Sequence, residues 1–435
     1  MLWALTKEEV MAFRCGCLAV TVVLAGALSP LHAQGQFRAG AARVDITPAK
    51  DAALPLAGYA GRTEGFKDIH DRLYARAIVV GDGSATAAIA TCDLIGLSEA
   101  LWQRIQARVS ADIGIPPDHL LLAGTHTHGA PNISALANDP DPKRSSYVKV
   151  VEDGILAALQ QARANLKPAR VGAGAGKADV SINRRALMAD GTWWLGRNPE
   201  GPSDKTVGVV KFESITGESI ALLINYGVHG TAMSQENYQL TADVPGATSR
   251  YVEQHFAEKA VAVWTSGAAG DQNPIYGPDG KDFRGLASMG RILGEEAIRV
   301  AAGVRLSPPA RIRAAQTAVS CPGQRPPEGY KRQTVTRASF LDAPPVDIRL
   351  SLLMVDKIAL AGVSGEVLTM IGQRLKRESP FTNTMMITHA NGSSGYLPDD
   401  AAYERISYEI LTARVRPGCA ESAIVNGLLT MMDKF

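Results

Sequence analysis

Leu120-Leu121-Leu122-Ala123-Gly124-Thr125-His126-Thr127-His128-Gly129 is the stretch from which the rest of the chain can be read. Its first four residues are an apolar run of buried-strand length, and the glycine and polar residues after them end it. His126 and His128 stand two apart, and in an extended segment side chains at i and i+2 point to the same side. Two imidazoles flanked by Gly124 and Gly129 can approach one ion, or divide the work between a ligand and an acid/base. Two hydrogen-bonded structural histidines are the other reading.

The same layout recurs along the chain. The apolar run 220–226 leads to His229, in Asn225-Tyr226-Gly227-Val228-His229-Gly230. The run 260–265 leads to Gly267-Ala268-Ala269-Gly270-Asp271, the run 358–363 to Glu366, and the run 385–388 to Asn391 and Tyr396. Ligand sites of sheet proteins sit where strand ends converge. Helical stretches lie between: 98–109, 147–166 with Val148, Val151, Ile155 and Leu159 at 3–4 spacing before Pro168, one containing Leu286, Met289 and Leu293, and 366–375. Thr216-Gly217 reads as a hairpin turn. The alternation predicts an α/β or α+β fold, with central mixed β-sheets flanked by helices and a metal site at converging strand ends. The proline-rich, polar segment 304–345 is a candidate domain boundary. Site candidates fall on both sides of it, which favours one composite unit with a long excursion.

Bulk properties narrow the function. The 435 residues are 46% apolar and 20% charged, ordinary for a folded globular protein. Lys+Arg 45 against Asp+Glu 43, with no basic stripe, argues against nucleic acid as a partner. Arg14, an apolar run over 17–28 and Leu31-His32-Ala33 before Gln34 have the order of a secretory signal peptide. The domain plan is therefore a signal peptide over 1–33, cleaved near Ala33, and a catalytic unit over 34–435, exported to the periplasm or medium. A membrane anchor is the alternative. Cys15 and Cys17 go with the leader. Cys92 lies in an apolar run as a buried thiol, and Cys321 and Cys419 could pair in an oxidising compartment.

Glu366 follows Gly365 at the start of a predicted helix, where the helix dipole alone would favour a carboxylate. Two histidines and one carboxylate with an open position are also a common ligand set of catalytic zinc.

Gly124-Thr125-His126-Thr127-His128, followed by Gly129-Ala130-Pro131, resembles the Gly-Thr-His-Thr-His-Ser-Gly-Pro motif of the neutral, non-lysosomal ceramidases. Arg43-Val44-Asp45-Ile46-Thr47-Pro48, Gly58-Tyr59-Ala60, Arg72-Leu73-Tyr74-Ala75-Arg76, Ser181-Ile182-Asn183-Arg184, Val228-His229, Ala269-Gly270-Asp271, Gly365-Glu366 and Gly395-Tyr396-Leu397-Pro398 are similar to further segments of that family, in the same order. The resemblance runs over roughly 37–435 and takes in the catalytic N-terminal domain, with no counterpart expected for the family's C-terminal immunoglobulin-like domain. It implies Zn2+ held by His126, His229, Glu366 and Tyr396, proton transfer by His128, and a scissile carbonyl oriented by Arg184 and Tyr408. Glu409-Ile410, after Tyr408, departs from the family's usual sequence. So does Asn273, which stands where the family has a serine essential to activity. Asn cannot act as a serine-type nucleophile. A zinc-activated water can still attack, with Asn273 bonding the substrate or an oxyanion.

The expected function is a zinc-dependent hydrolase of a linear amide, with an N-acyl lipid as leading substrate and peripheral membrane contact consistent with it. Two alternatives stay open. One is a hydrolase of the same fold acting on another amide, an ester or a lactone. The other is a catalytically silent metal- or lipid-binding protein of the cell envelope. Oligomeric state is not legible.

Overall fold

Eight strands form the larger of two facing sheets, in the order Val261–Ser266, Ser219–Tyr226, Thr206–Ser214, Lys167–Lys177, Arg38–Asp45, Tyr74–Gly81, Thr86–Cys92 and Leu120–Gly124. This computed structural model describes residues 36–277, 282–307 and 311–435. The predicted leader and its cleavage point lie outside the described residues. Most neighbours in the large sheet are antiparallel. The pairs at its two margins, Thr86–Cys92 with Leu120–Gly124 and Ser219–Tyr226 with Val261–Ser266, are parallel.

The second sheet has four strands, ordered Ile312–Arg325, Leu341–Val355, Ile358–Val363 and Asn383–Ile387, the last pair parallel. Leu121, Val210, Phe212 and Val263 of the first sheet pack with Leu353, Leu360, Met385 and Ile387 of the second in one buried cluster. The helix Pro142–Ala164 covers the outer face of the large sheet over Ile46, Ala75 and Ala90. The helix Phe283–Gly303 covers it elsewhere, over Val209, Leu222 and Trp264. The helices Thr369–Glu378 and Ala420–Met432 cover the outer face of the second sheet. Each strand that is apolar on both faces thus sits between a sheet and a helix layer. Mixed sheets flanked by helices are what the sequence predicts.

Three local expectations change. The long helix begins at Pro142 rather than at 147, because Asp141 caps it by accepting from the Lys143 N–H and proline fills the first turn. Its apolar stripe starts only at Tyr147, so periodicity misses the first turn. The segment 304–345 supplies one strand of a long antiparallel hairpin and the start of the other. Glu366 does not open a helix. Glu366–Val367 is a two-residue strand paired in parallel with Tyr396–Leu397, and the helix starts at Thr369. The helix dipole therefore does not account for this carboxylate.

Cys92 is a buried free thiol, and Cys321 and Cys419 form a disulfide across 98 residues of sequence. Cross-linking so long a loop restricts the unfolded chain. Cys321→Ser is expected to cost about 2–5 kcal/mol of stability, read as a lower urea midpoint. An unchanged midpoint would show that the bridge contributes nothing.

Candidate metal centre

The carboxyl ends of the parallel strands point to one place. His126 follows Leu120–Gly124, His229 follows Ser219–Tyr226, Glu366 follows Ile358–Val363, and His389 follows Asn383–Ile387. The two margins of the large sheet are joined there. Ser266 Oγ donates to the Thr125 carbonyl at 3.0 Å, and the Thr388 N–H donates to the Ser266 carbonyl at 2.9 Å. His126, His389 and Asn391 all hold positive φ, at 65°, 55° and 58°. Backbone strain of this kind in non-glycine residues collects at functional sites, where the surrounding fold enforces it.

Backbone carbonyls orient two of the imidazoles. His126 Nδ1–H donates to Ile95 O at 2.8 Å, and His229 Nδ1–H donates to Ala269 O at 2.7 Å. Each Nε2 then carries the free lone pair. Both face the same oxygen: Glu366 Oε2 lies 3.5 Å from His126 Nε2 and 3.4 Å from His229 Nε2. A tetrahedral zinc bound at about 2.0–2.1 Å separates its ligand atoms by about 3.3–3.4 Å. His229 Nε2 and Glu366 Oε2 are buried and have no hydrogen-bond partner among the described residues. Orphaned buried polar atoms are costly unless something binds them. These residues therefore fit a divalent cation.

The charge states agree with that fit. Burial, and then the nearby Arg184 charge and His126, push His229 down to about 3, so it is a neutral ligand at pH 7. Burial alone would raise Glu366, but His126 and its other imidazole neighbours outweigh it and hold the carboxyl well below its usual range.

His128 is placed differently. Its Nε2 lies 3.5 Å from His126 Nε2, but its Nδ1 has no hydrogen-bond partner among the described residues. No carbonyl fixes its tautomer, which leaves the ring free to carry a proton between positions. Burial, then His126 and His229, keep it well below the ordinary histidine value. The ring lies over Gly58, where a Cβ would come within 2.1 Å of Nδ1, so the Gly-Tyr-Ala segment makes room for it. Arg62 holds the His128 carbonyl from below.

Tyr396 is the strand partner of Glu366, and its hydroxyl accepts from Arg184 Nη2 at 2.8 Å. Burial raises that phenol well above its usual value. Arg184 is a three-way junction. Besides Tyr396 it donates from Nε to Glu409 Oε1 at 2.7 Å and from Nη1 to Asn273 Oδ1 at 3.5 Å. Asn273 stands on Gln272–Pro274, antiparallel to the Arg184 strand. The Tyr408 ring meets Tyr396 edge-on at 5.8 Å, with Trp194 beyond it at 5.9 Å. All eight candidates from the sequence thus lie in one region, with Tyr408 at its rim.

Three residues of the site were given no role by the sequence reading. His389 stacks on His126 at 3.8 Å, and it closes the apolar run 385–388 that was credited only with Asn391 and Tyr396. Glu409, read as a departure from a motif, is the buried counter-ion of Arg184. Asp271 accepts from Thr369 N, Thr369 Oγ1 and Asn183 Nδ2, and so ties three segments together behind the site. A cavity of about 440 Å³ opens on His126, Glu366 and His389.

Known proteins are similar to this chain in sequence and fold. The family described as "Neutral/alkaline non-lysosomal ceramidase, N-terminal" matches residues 37–287. A neutral ceramidase of Pseudomonas aeruginosa is 26% identical over 258 residues, which are 55% of this chain and 37% of that protein. One of Drosophila melanogaster is 28% identical over 272 residues, which are 56% of this chain and again 37% of the relative. The matched region is thus little more than a third of these relatives. Among solved structures, the P. aeruginosa neutral ceramidase superposes with a TM-score of 0.76 at 19% identity, over 92% of this chain and 75% of the other. A structure titled "Ceramidase complexed with C2" gives 0.77 at 19% identity, over 92% and 76%. At that identity the superposition establishes the fold.

Proposed function

We propose that this chain, which belongs to the neutral/alkaline non-lysosomal ceramidase family, is an exported, zinc-dependent hydrolase of a linear amide, with an N-acyl lipid as its substrate class. The observation that carries the reading is the pair of unpartnered buried atoms, His229 Nε2 and Glu366 Oε2, with His126 Nε2 turned toward them. His126, His229 and Glu366 would hold the ion, with the Tyr396 hydroxyl beside them. Zinc bound there would polarise a carbonyl and lower the pKa of a water toward about 7.

The chain's own groups do the rest. Arg184 is locked by Glu409 and turns its remaining N–H groups to Tyr396 and Asn273. That fixes a positive charge where negative charge develops on the carbonyl oxygen. The Asn273 amide can donate to the same oxygen, and Tyr408 closes the rim. His128, with no partner fixing its tautomer, can take the proton lost by the attacking water and pass it to the leaving amine. Trp194, Tyr408 and Tyr396 stand in a row leading outward, which suits an apolar substituent on the substrate. Among the described residues no helix is long and apolar enough to cross a membrane. Export itself predicts a mature N-terminus at Gln34, checked by mass spectrometry of protein from the envelope or medium. An intact leader would mean an anchored protein.

Asn273 favours a second reading, hydrolysis of another amide, an ester or a lactone on the same scaffold. The test is metal analysis of undialysed protein together with a panel of N-acyl lipids, short amides, esters and lactones. Close to stoichiometric zinc and turnover of the N-acyl lipids support the first reading. Turnover confined to short amides, esters or lactones supports the second, and metal-free protein with full activity refutes both. Asn273→Ala is expected to lower kcat by on the order of 10²–10³, the worth of one oxyanion donor. A larger loss than His126→Ala, with metal still bound, would mean that Asn273 has been misassigned. Asn273→Ser should gain ceramide turnover only if that hydroxyl is the missing element.

A further inference from the structure

His389 has no place in the mechanism just derived, yet the fold goes to some length to hold it. Its backbone takes a left-handed φ of 55°. Its N–H donates to Gly365 O at 3.2 Å and its carbonyl accepts from Gly124 N at 3.4 Å, so it is pinned between the segments that carry Glu366 and His126. The ring is 9% exposed, makes no hydrogen bond among the described residues, and lines the cavity that reaches Glu366.

We propose that the centre holds two divalent cations. The first sits in the set of His126, His229 and Glu366. The second is held by His389 together with the other oxygen of the Glu366 carboxylate. This rests on the metal-binding reading above and adds a position to it.

In each of two groups the donor atoms lie within 4.8 Å of one another, one group being His126, His128 and His229 and the other His126, Glu366 and His389. The second group is not simply a wider version of the first. The rings of His126 and His389 are stacked, 3.8 Å apart and 15° from parallel. Lone pairs of parallel rings lie in parallel planes and do not converge on one ion. They address two points about a ring spacing apart, and the ions of two-metal hydrolytic sites are about 3.5–4 Å apart. Glu366 Oε2 is the oxygen turned to His126 and His229. A carboxylate has a second oxygen, and bridging two ions uses both. One imidazole and one shared oxygen make a sparse set, so water from the cavity completes the coordination and this ion binds more weakly than the first. Nitrogen and oxygen donors together suit zinc, cobalt or manganese rather than calcium or magnesium.

The experiment is a titration of chelator-stripped full-length protein with zinc by equilibrium dialysis, and with cobalt(II) followed by visible absorption. The wild type should take up two equivalents, the second at least tenfold more weakly. His389→Gln should stop at one equivalent of unchanged affinity and first-phase spectrum. His229→Ala should lose the tight equivalent. A wild type that saturates at one equivalent overturns the proposal, whether His389 is then a fifth ligand (cobalt spectrum altered in His389→Gln) or only a stacked ring (spectrum unaltered). Two equivalents retained by His389→Gln also overturn it. Uptake of none would sink the metal reading on which it stands. The wild-type stoichiometry decides the matter even if a variant fails to fold.

Discussion

His229→Ala is expected to leave a folded protein that holds no tight metal and hydrolyses its amide on the order of 10⁴-fold more slowly, or worse. His229 is the ligand whose removal touches the fewest other roles. Its Nδ1 bonds only the backbone carbonyls of Ala269 and Gln272, and its Nε2 serves nothing but the centre. Truncation removes one buried hydrogen bond, but both carbonyls still accept backbone N–H groups, Ala269 O from Gln272 and Gln272 O from His229, so the stability loss is only about 0.5–1.5 kcal/mol. The catalytic loss is far larger because two functions go together, polarisation of the carbonyl and activation of water. His128→Ala makes the contrast. It should keep full metal content, since His128 lacks the carbonyl anchor of the other two imidazoles, and lose about 10²–10⁴ in kcat as a proton-transfer group does. Elemental analysis and kcat on both variants check the pair of assignments. Metal lost equally from both would make His128 a ligand, and metal retained by His229→Ala would remove His229 from the set.

That contrast was only half legible in the sequence. His126 and His128 are two apart, and an extended run would give them a shared side. The structure brings the two rings together, but the strand ends at Gly124 and His126 takes a left-handed φ, so a turn and not strand alternation does it. The spacing cannot say which of the two is anchored, because the anchor of His126 is the carbonyl of Ile95, thirty-one residues away. The apolar runs were visible as strands because a strand between two layers is apolar on both faces. Their order in the sheets was not, since Leu120–Gly124 and Val261–Ser266 lie at opposite margins of one sheet and are joined through Ser266 and Thr125. Glu366 misled in a specific way. Its local sequence suits a helix start, but pairing with Tyr396, thirty residues on, overrides that local preference. His389 was missed for the opposite reason. It closes an apolar run as His229 does, but without the neighbouring glycines that mark His229, and it is the stacked His126 that gives it meaning.

Arg184→Ala is expected to cost stability and activity together, and a second substitution should separate them. Glu409 is fully buried, and its bonds are to Arg184 at 2.7 Å and Ser407 Oγ at 2.6 Å, with Arg185 at 3.7 Å. Removing Arg184 leaves the buried Glu409 charge with only the more distant Arg185, and breaking a buried pair in this way costs up to about 3–5 kcal/mol. Arg184→Ala should therefore unfold at markedly lower urea. Its kcat should also fall by on the order of 10²–10³, the worth of a fixed charge at the carbonyl oxygen. Pairing Arg184→Met with Glu409→Leu removes both charges and fills the space. A hydrophobic replacement of this kind is often neutral or stabilising, so the urea midpoint should return toward the wild type while kcat stays low. Arg184→Lys keeps the charge but not the fork that reaches Glu409, Tyr396 and Asn273 at once, and so should recover little activity. If the double variant regained activity along with stability, Arg184 would be a structural residue, and polarisation of the carbonyl would fall to the metal and Asn273. If it regained neither, the network through Tyr396 would be what the fold requires, and the separation of roles argued for Arg184 would fail.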